Sequence, residues 1–210
     1  EQANFQVKVH DSDLLNSSLQ DVINQVKEYG PDFIGIYCNT SNYHRVIEYA
    51  NDLKKIRAAP VCLGGPHPII EPEKVLANQS IDFVVMGEGE LTIVELLNGL
   101  NNRQDLRAVK GMGFKTKAGE IIVNPRRELI DNLDSLPFPA RHLVPLEQYR
   151  PAPHHYLELP MTTMIVSRGC PFGCLFCASR NVWGRKYRTR SVDSAIKEIK
   201  FLTAKYKIKN

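Results

Sequence analysis

Residues Ser167 to Trp183 read SRGCPFGCLFCASRNVW and place three of the five cysteines, Cys170, Cys174 and Cys177, within one short stretch. Thiolates spaced by three and then two residues can converge on one face of a loop. Iron–sulfur clusters are ordinarily held by four thiolates, so a set of three leaves one iron with an open position for a small molecule. Gly169 and Gly173 permit a tight loop, and Pro171 stiffens it while removing a backbone donor. Two other chemistries stay open to the same residues. Three cysteines and a distant histidine can bind structural zinc, although such sites more often pair two C-x2-C arms, and no second arm occurs here. The thiols could also be buried core residues, which the intervening Pro, Gly and Phe disfavour.

Ahead of this loop the chain alternates strand and helix patterns. Phe5 to Val9 alternates apolar and polar residues, as a half-buried strand does. Leu19, Val22, Ile23, Val26 and Tyr29 keep helical spacing until Gly30-Pro31 ends it. Strands follow at Phe33–Cys38, Pro60–Leu63 and Ile81–Met86. Between and after them, helices are predicted from Tyr43, from Pro72 and from Leu91. This order predicts an α/β fold with a parallel sheet covered on both faces. Ligands of such sheets sit beyond the carboxyl ends of the strands. Those ends carry Asn39-Thr40-Ser41, Gly64-Gly65-Pro66-His67 and Gly87-Glu88-Gly89-Glu90. Each loop alone reads as a turn, but three at one edge suggest a place where backbone approaches a bulky ligand.

Val109–Phe114 and Ile121–Val123 flank Lys117-Ala118-Gly119-Glu120, a predicted hairpin. Residues 131 to 160 then hold six of the 13 prolines, which marks an ordered but non-repetitive connector. Its histidines, His142, His154 and His155, read as surface residues. Met164–Val166 is expected to open a new domain as a strand that delivers the cysteine loop. Ser191 is placed to cap a helix with Val192, Ala195, Ile196, Ile199 and Leu202 on one face. Arg185, Lys186, Arg188 and Arg190 form a basic run, either a solvated face or a partner for carboxylates or phosphates near a cofactor. The expected organisation is residues 1–124, a connector at 125–160, and a further domain from 161 to 210.

The loop resembles the C-x3-C-x2-C motif of the radical S-adenosylmethionine (SAM) enzymes. With the flanks SRGCPFGCLFC and WGRKYRTRS, the chain is similar to the subgroup that carries a cobalamin-binding domain ahead of the barrel. The resemblance implies a [4Fe–4S] cluster on Cys170, Cys174 and Cys177, SAM on the unique iron, and Phe176 beside the adenine. It implies a flavodoxin-like leading domain that binds cobalamin, with Thr40 and Ser41 near the nucleotide tail and Gly64 and Gly65 making room for it. His67, Gly87, Glu88 and Gly89 complete the expected cofactor edge, and a bulky residue at Gly65 is expected to block binding at modest cost in stability. The family motif for a lower cobalt ligand, D-x-H-x-x-G, is missing around His10, so His10 is expected to leave cobalt alone. In the flavodoxin order the first strand lies between the second and third, and the chain reads as beginning just before strand two, which would leave a gap.

Net charge is +4, from 27 basic against 23 acidic residues, too small an excess to argue for nucleic acid. No apolar run nears the roughly 18 residues of a membrane span, and the cysteine usage fits a reducing cytoplasm. The resemblance implies an enzyme that cleaves SAM reductively to a 5′-deoxyadenosyl radical and methylates an unactivated carbon of a small-molecule substrate. A flavodoxin- or ferredoxin-type protein would supply the electron. The alternatives are an oxidative cyclase of the anaerobic magnesium-protoporphyrin monomethyl ester type and a cobalamin carrier or sensor. A tRNA methylthiotransferase is disfavoured, because the leading domain holds only Cys38 and Cys62. The chain from 1 to 210 is expected to be inactive by itself.

Overall fold

A computed structural model of the chain describes residues 3–152, 154 and 156–210. His155 lies outside the described residues. The chain divides into two units: Leu19–Leu129 with Phe172–Arg185, and residues up to Ser18 with Ile130–Pro171 and Lys186–Asn210.

In the first of these, helix α1 (Leu19–Tyr29) ends where Gly30 takes φ +62° and returns its N–H to the Val26 carbonyl at 2.9 Å. Next come β1 (Ile34–Tyr37), α2 (Tyr43–Ile56), β2 (Val61–Gly64), α3 (Pro66–Ile70), α4 (Pro72–Ala77), β3 (Phe83–Val85) and α5 (Gly89–Asn101). Strands β1, β2 and β3 are parallel neighbours, with Ile36 opposite Leu63 and Leu63 opposite Val84. The hairpin β4 (Met112–Lys115) and β5 (Ile121–Val123) extends the sheet antiparallel, pairing Val84 with Gly113. The sheet is therefore mixed, in the order β1-β2-β3-β4-β5.

Side chains alternate across a strand, and the two cores follow from that. Leu63 and Val84 join Val46, Ala50, Leu53, Val75 and Leu76 on one face, with Val22, Ile23 and Val26 of α1 packed against them. Cys62, Phe83 and Val85 join Leu96, Met112 and Phe114 on the other. Helix α6 (Ser179–Trp183), which follows the cysteine loop, belongs to this unit, and its Val182 packs on the first core.

Two expectations change here. Phe5–Val9 forms no ladder, and Val7 and Val9 are exposed; an alternating pattern becomes a strand when a neighbour supplies hydrogen-bond partners. Pro66–Ile70, read as loop, is helix α3, which Pro66 opens at the first helical position.

The second unit holds the proline-rich connector as short 3-10 turns at Leu133–Ser135, Arg141–Leu143 and Leu146–Gln148. The strand expected at Met164–Val166 is displaced to β6 (Ser167–Arg168), paired antiparallel with β7 (Arg188–Thr189). Val166 takes part through its carbonyl, which accepts from the Arg190 N–H at 2.9 Å. Helix α7 (Val192–Tyr206) starts as expected, with the Ser191 hydroxyl accepting from Ser194 N–H at 3.1 Å.

The buried face of α7 is only in part the expected apolar one, through Leu202. Val192, Ile196 and Ile199 are exposed, whereas Glu198 is 1% exposed and Leu202 2%. Glu198 is tolerated inside because Arg141 Nη1 donates to it at 2.6 Å and Arg190 pairs with its second oxygen. The basic run is thus largely consumed within the protein. Arg190 goes to Glu198, Arg188 donates to the Ile130 carbonyl at 2.7 Å, and Lys186 pairs with Asp131 at 2.6 Å.

Removing one partner of a buried ion pair strands the other charges, at a cost of about 3–5 kcal/mol. Glu198→Ala is therefore expected to lower the urea midpoint of this unit sharply, whereas Ile199→Ala, at an exposed neighbour, leaves it nearly unchanged. Equal midpoints for the two variants would show that the ion triad carries no stability.

Candidate functional site

The three loops singled out in the sequence follow β1, β2 and β3, at one edge of the parallel part of the sheet. The first two are tied together by backbone. Cys38 N–H donates to the Gly64 carbonyl at 2.7 Å, and His67 N–H donates to the Cys38 carbonyl at 3.2 Å. Side chains repeat the link: Thr40 Oγ1 lies 3.2 Å from His67 Nδ1, and the His67 ring sits 4.2 Å from that of Tyr43. Ser41 turns back on its own loop and donates to Asn39 Oδ1 at 2.7 Å.

Asn39 and Asn42 were not singled out as a pair, yet they shape this loop. Asn39 N–H donates to Asn42 Oδ1 at 2.8 Å, and Asn42 N–H donates to Asn39 Oδ1 at 2.9 Å. Two asparagines three apart ahead of a helix are a legible signal for such a turn. Tyr43 was read as the start of a helix, and its ring contact with His67 needed the fold to be seen.

The two central glycines serve different ends. Gly65 has φ +111° and ψ −175°, a region open essentially to glycine. A Cβ there would lie 2.5 Å from the Cys38 carbonyl oxygen. Its freedom is used by the fold itself, so the expectation of modest stability loss on enlarging Gly65 is corrected. Gly64 has nothing within 4 Å of its Cβ direction, which leaves space above the strand end. In the third loop Gly87 has φ +77°, Glu88 is buried, and Gly89 starts α5 with its Cβ direction 3.2 Å from Val85 Cγ1.

Cys170 falls in one unit, and Cys174 and Cys177 in the other. Cys174 is exposed, Cys170 and Cys177 are half-buried, and all three are free thiols. Cys177 N–H donates to the Cys174 carbonyl at 3.1 Å, so the second half of the motif is a turn. Phe172, Leu175 and Phe176 are exposed, Phe176 at 92%. Among the described residues, no three His, Cys, Asp or Glu side chains are gathered as a metal site. Gly169, with φ +91°, passes so close to β7 that a Cβ would overlap the Lys186 carbonyl. Cys38 and Cys62 differ in kind. Burial pushes the Cys38 thiol up to about 11, and burial with the nearby Asp82 charge pushes Cys62 up to about 12. His10 Nε2 lies 3.1 Å from Ser17 Oγ, within its own unit.

Residues 1–97 match the model of the B12 binding domain. The chain is 34% identical over 205 residues to an uncharacterized methyltransferase of Pyrococcus horikoshii, which covers 97% of this chain and 43% of that protein. The leading part of the chain is thus similar to the B12-binding domain family, and the chain as a whole to a methyltransferase.

The chain is also 32% identical over 143 residues to the anaerobic magnesium-protoporphyrin IX monomethyl ester cyclase of Synechocystis, covering 68% of the chain and 27% of the cyclase. It spans less than half the length of either relative. Its fold is that of the radical S-adenosylmethionine methyltransferase TsrM from Kitasatospora setae, solved with cobalamin and a [4Fe-4S] cluster bound. The TM-score is 0.71 at 19% identity, covering 98% of this chain and 41% of TsrM. Among the described residues no helix is long and apolar enough to cross a membrane.

Two outcomes are expected. Gly65→Ala loses at least about 1–3 kcal/mol from backbone strain, while Gly64→Ala melts near the parent; the reverse order in thermal melts would refute the assignment of strain. At pH 8 iodoacetamide should label Cys170, Cys174 and Cys177 in the folded chain, with Cys38 and Cys62 labelled after denaturation. Burial disfavours the thiolate, so Cys38 should stay unlabelled until the chain unfolds.

Proposed function

We propose that this chain provides the cobalamin-binding part and the cysteine loop of a cobalamin-dependent radical SAM enzyme that methylates an unactivated carbon of a small molecule. The carrying observation is the 34% identity to a methyltransferase across 97% of the chain, a span that takes in both the strand-end loops and the C-x3-C-x2-C motif. The residues present suit the implied groups. Space over Gly64, the Thr40 hydroxyl and the His67 imidazole share one edge. Three free thiols, none fully buried, are of the ligand type that soft iron favours over magnesium or calcium, and the described side chains are not gathered around a metal position.

In this reading Cys170, Cys174 and Cys177 bind a [4Fe–4S] cluster as thiolates, and Phe176 offers its exposed ring to the adenine of SAM. Thr40 and Ser41 lie near the cobalamin nucleotide tail, Gly64 leaves room for it, and Gly65 holds the backbone turn beneath. His67, Gly87, Glu88 and Gly89 line the rest of the edge. His10 leaves cobalt alone. When bound, the groups supply a carbon-centred oxidant from SAM and a methyl carrier in cobalamin. A flavodoxin- or ferredoxin-type protein delivers the electron in a reducing cytoplasm, and nucleic acid is not a substrate. The cobalamin domain occupies residues 1–124 and the connector 125–160, and residues 161–210 belong to the SAM domain. Oxidative cyclisation is the second reading, favoured by the 32% identity to the cyclase.

The test uses the intact enzyme that contains this chain, reconstituted anaerobically with iron and sulfide. About four irons per chain, lost in Cys174→Ala, together with 5′-deoxyadenosine and a labelled methyl passed from SAM to product, is the expected pattern. Gly64→Leu should retain iron and lose cobalamin. Cyclised product without methyl transfer would favour the second reading, and tetrahedral zinc with no iron uptake would overturn both.

A further inference from the structure

Helix α6 begins two residues after Cys177 and is five residues long, too short to hold its shape unaided. It is held from outside. Val182 packs on the core formed by one face of the sheet. The Arg126 guanidinium bridges the Asn181 carbonyl of α6 at 3.2 Å and the Ile69 carbonyl of α3 at 3.3 Å. Gly184, at φ +72°, turns the chain away beside Leu129, where a Cβ would lie 2.5 Å from Leu129 Cδ1. Its partner α3 is equally short and is fixed at its start by His67, whose N–H is bound to the Cys38 carbonyl and whose ring meets Thr40 and Tyr43.

We propose that α6 is latched to α3, so that cobalamin bound at the Thr40–His67 edge tightens the segment carrying Cys174 and Cys177. Val182 and Arg126 are the positioning residues of this latch, which rests on the cobalamin reading given under Proposed function. Helix α6 draws part of its order from α3 by way of Arg126. A ligand that removes the freedom of α3 lowers the entropy cost of docking α6, and such coupling is reciprocal. Loading of the cobalamin edge thereby prepares two of the three thiols for iron.

The experiment measures alkylation of each cysteine by iodoacetamide in the cluster-free chain, with and without saturating cyanocobalamin, whose cyanide keeps thiols off cobalt. Retention of cyanocobalamin on ultrafiltration is followed in parallel. Alkylation of Cys174 and Cys177 is expected to slow by about fivefold or more, the low end of ordinary coupling between sites. Val182→Asp should bind cyanocobalamin yet lose the slowing, and the milder Arg126→Met should lose part of it. By reciprocity, prior alkylation of Cys177 should weaken cyanocobalamin binding in the parent by a similar factor. Bound cyanocobalamin with unchanged alkylation overturns the latch and leaves the cobalamin reading intact. Slowing that persists in both variants also overturns it, because the ligand then shields the thiols directly. No retention of cyanocobalamin overturns the cobalamin reading and the latch with it.

Discussion

The backbone after β1 and the backbone after β2 run within van der Waals contact, and much of the larger unit is arranged around that approach. The Cys38 carbonyl accepts from His67 N–H at 3.2 Å and lies where any side chain on Gly65 would have to go. The contact fixes where α3 begins, since Gly65 precedes its first residue. It also holds Thr40, Tyr43 and His67 in one small group. A glycine with φ +111° can make this turn, and a residue with a Cβ would have to push the first strand end away.

Energetically the two units rest on different terms. The larger is a sheet with an apolar core on each face, stabilised by burial of residues such as Leu63, Leu76, Leu96 and Met112. The other places a carboxylate at its centre. Glu198 and its two arginines replace apolar packing with charge-assisted hydrogen bonds. Such a cluster costs desolvation of every member, and it tolerates little change of geometry. That rigidity suits a unit in which Arg190, through Val166, adjoins the short ladder leading to Cys170.

The strand ends show the same division of labour. Open space lies over Gly64, while the hydroxyl and imidazole beside it are held by their own neighbours. Burial keeps Cys38 and Cys62 protonated and inert, and exposure leaves Cys174 available to a metal. Five cysteines thus separate into buried and accessible thiols by environment.

The helices α1, α2 and α5, the parallel strands and the β4–β5 hairpin were legible in the sequence, because period and punctuation there agree with the packing. The motif Cys170, Cys174, Cys177 was equally legible, since spacing is a property of the chain itself. Phe5–Val9 and Met164–Val166 were not, because a strand exists only through a neighbour that local pattern cannot name. The face of α7 was misread for a related reason: Val192, Ile196 and Ile199 look like a core stripe, yet burial of Glu198 depends on Arg141, 57 residues away. The docking of α6 on α3 and the contact between the Tyr43 and His67 rings likewise joined residues far apart in the chain. The sequence by itself determined which chemistry the chain can carry; tertiary structure decided which charges are buried, which glycine is indispensable and which faces meet, because those depend on contacts that no local spacing encodes.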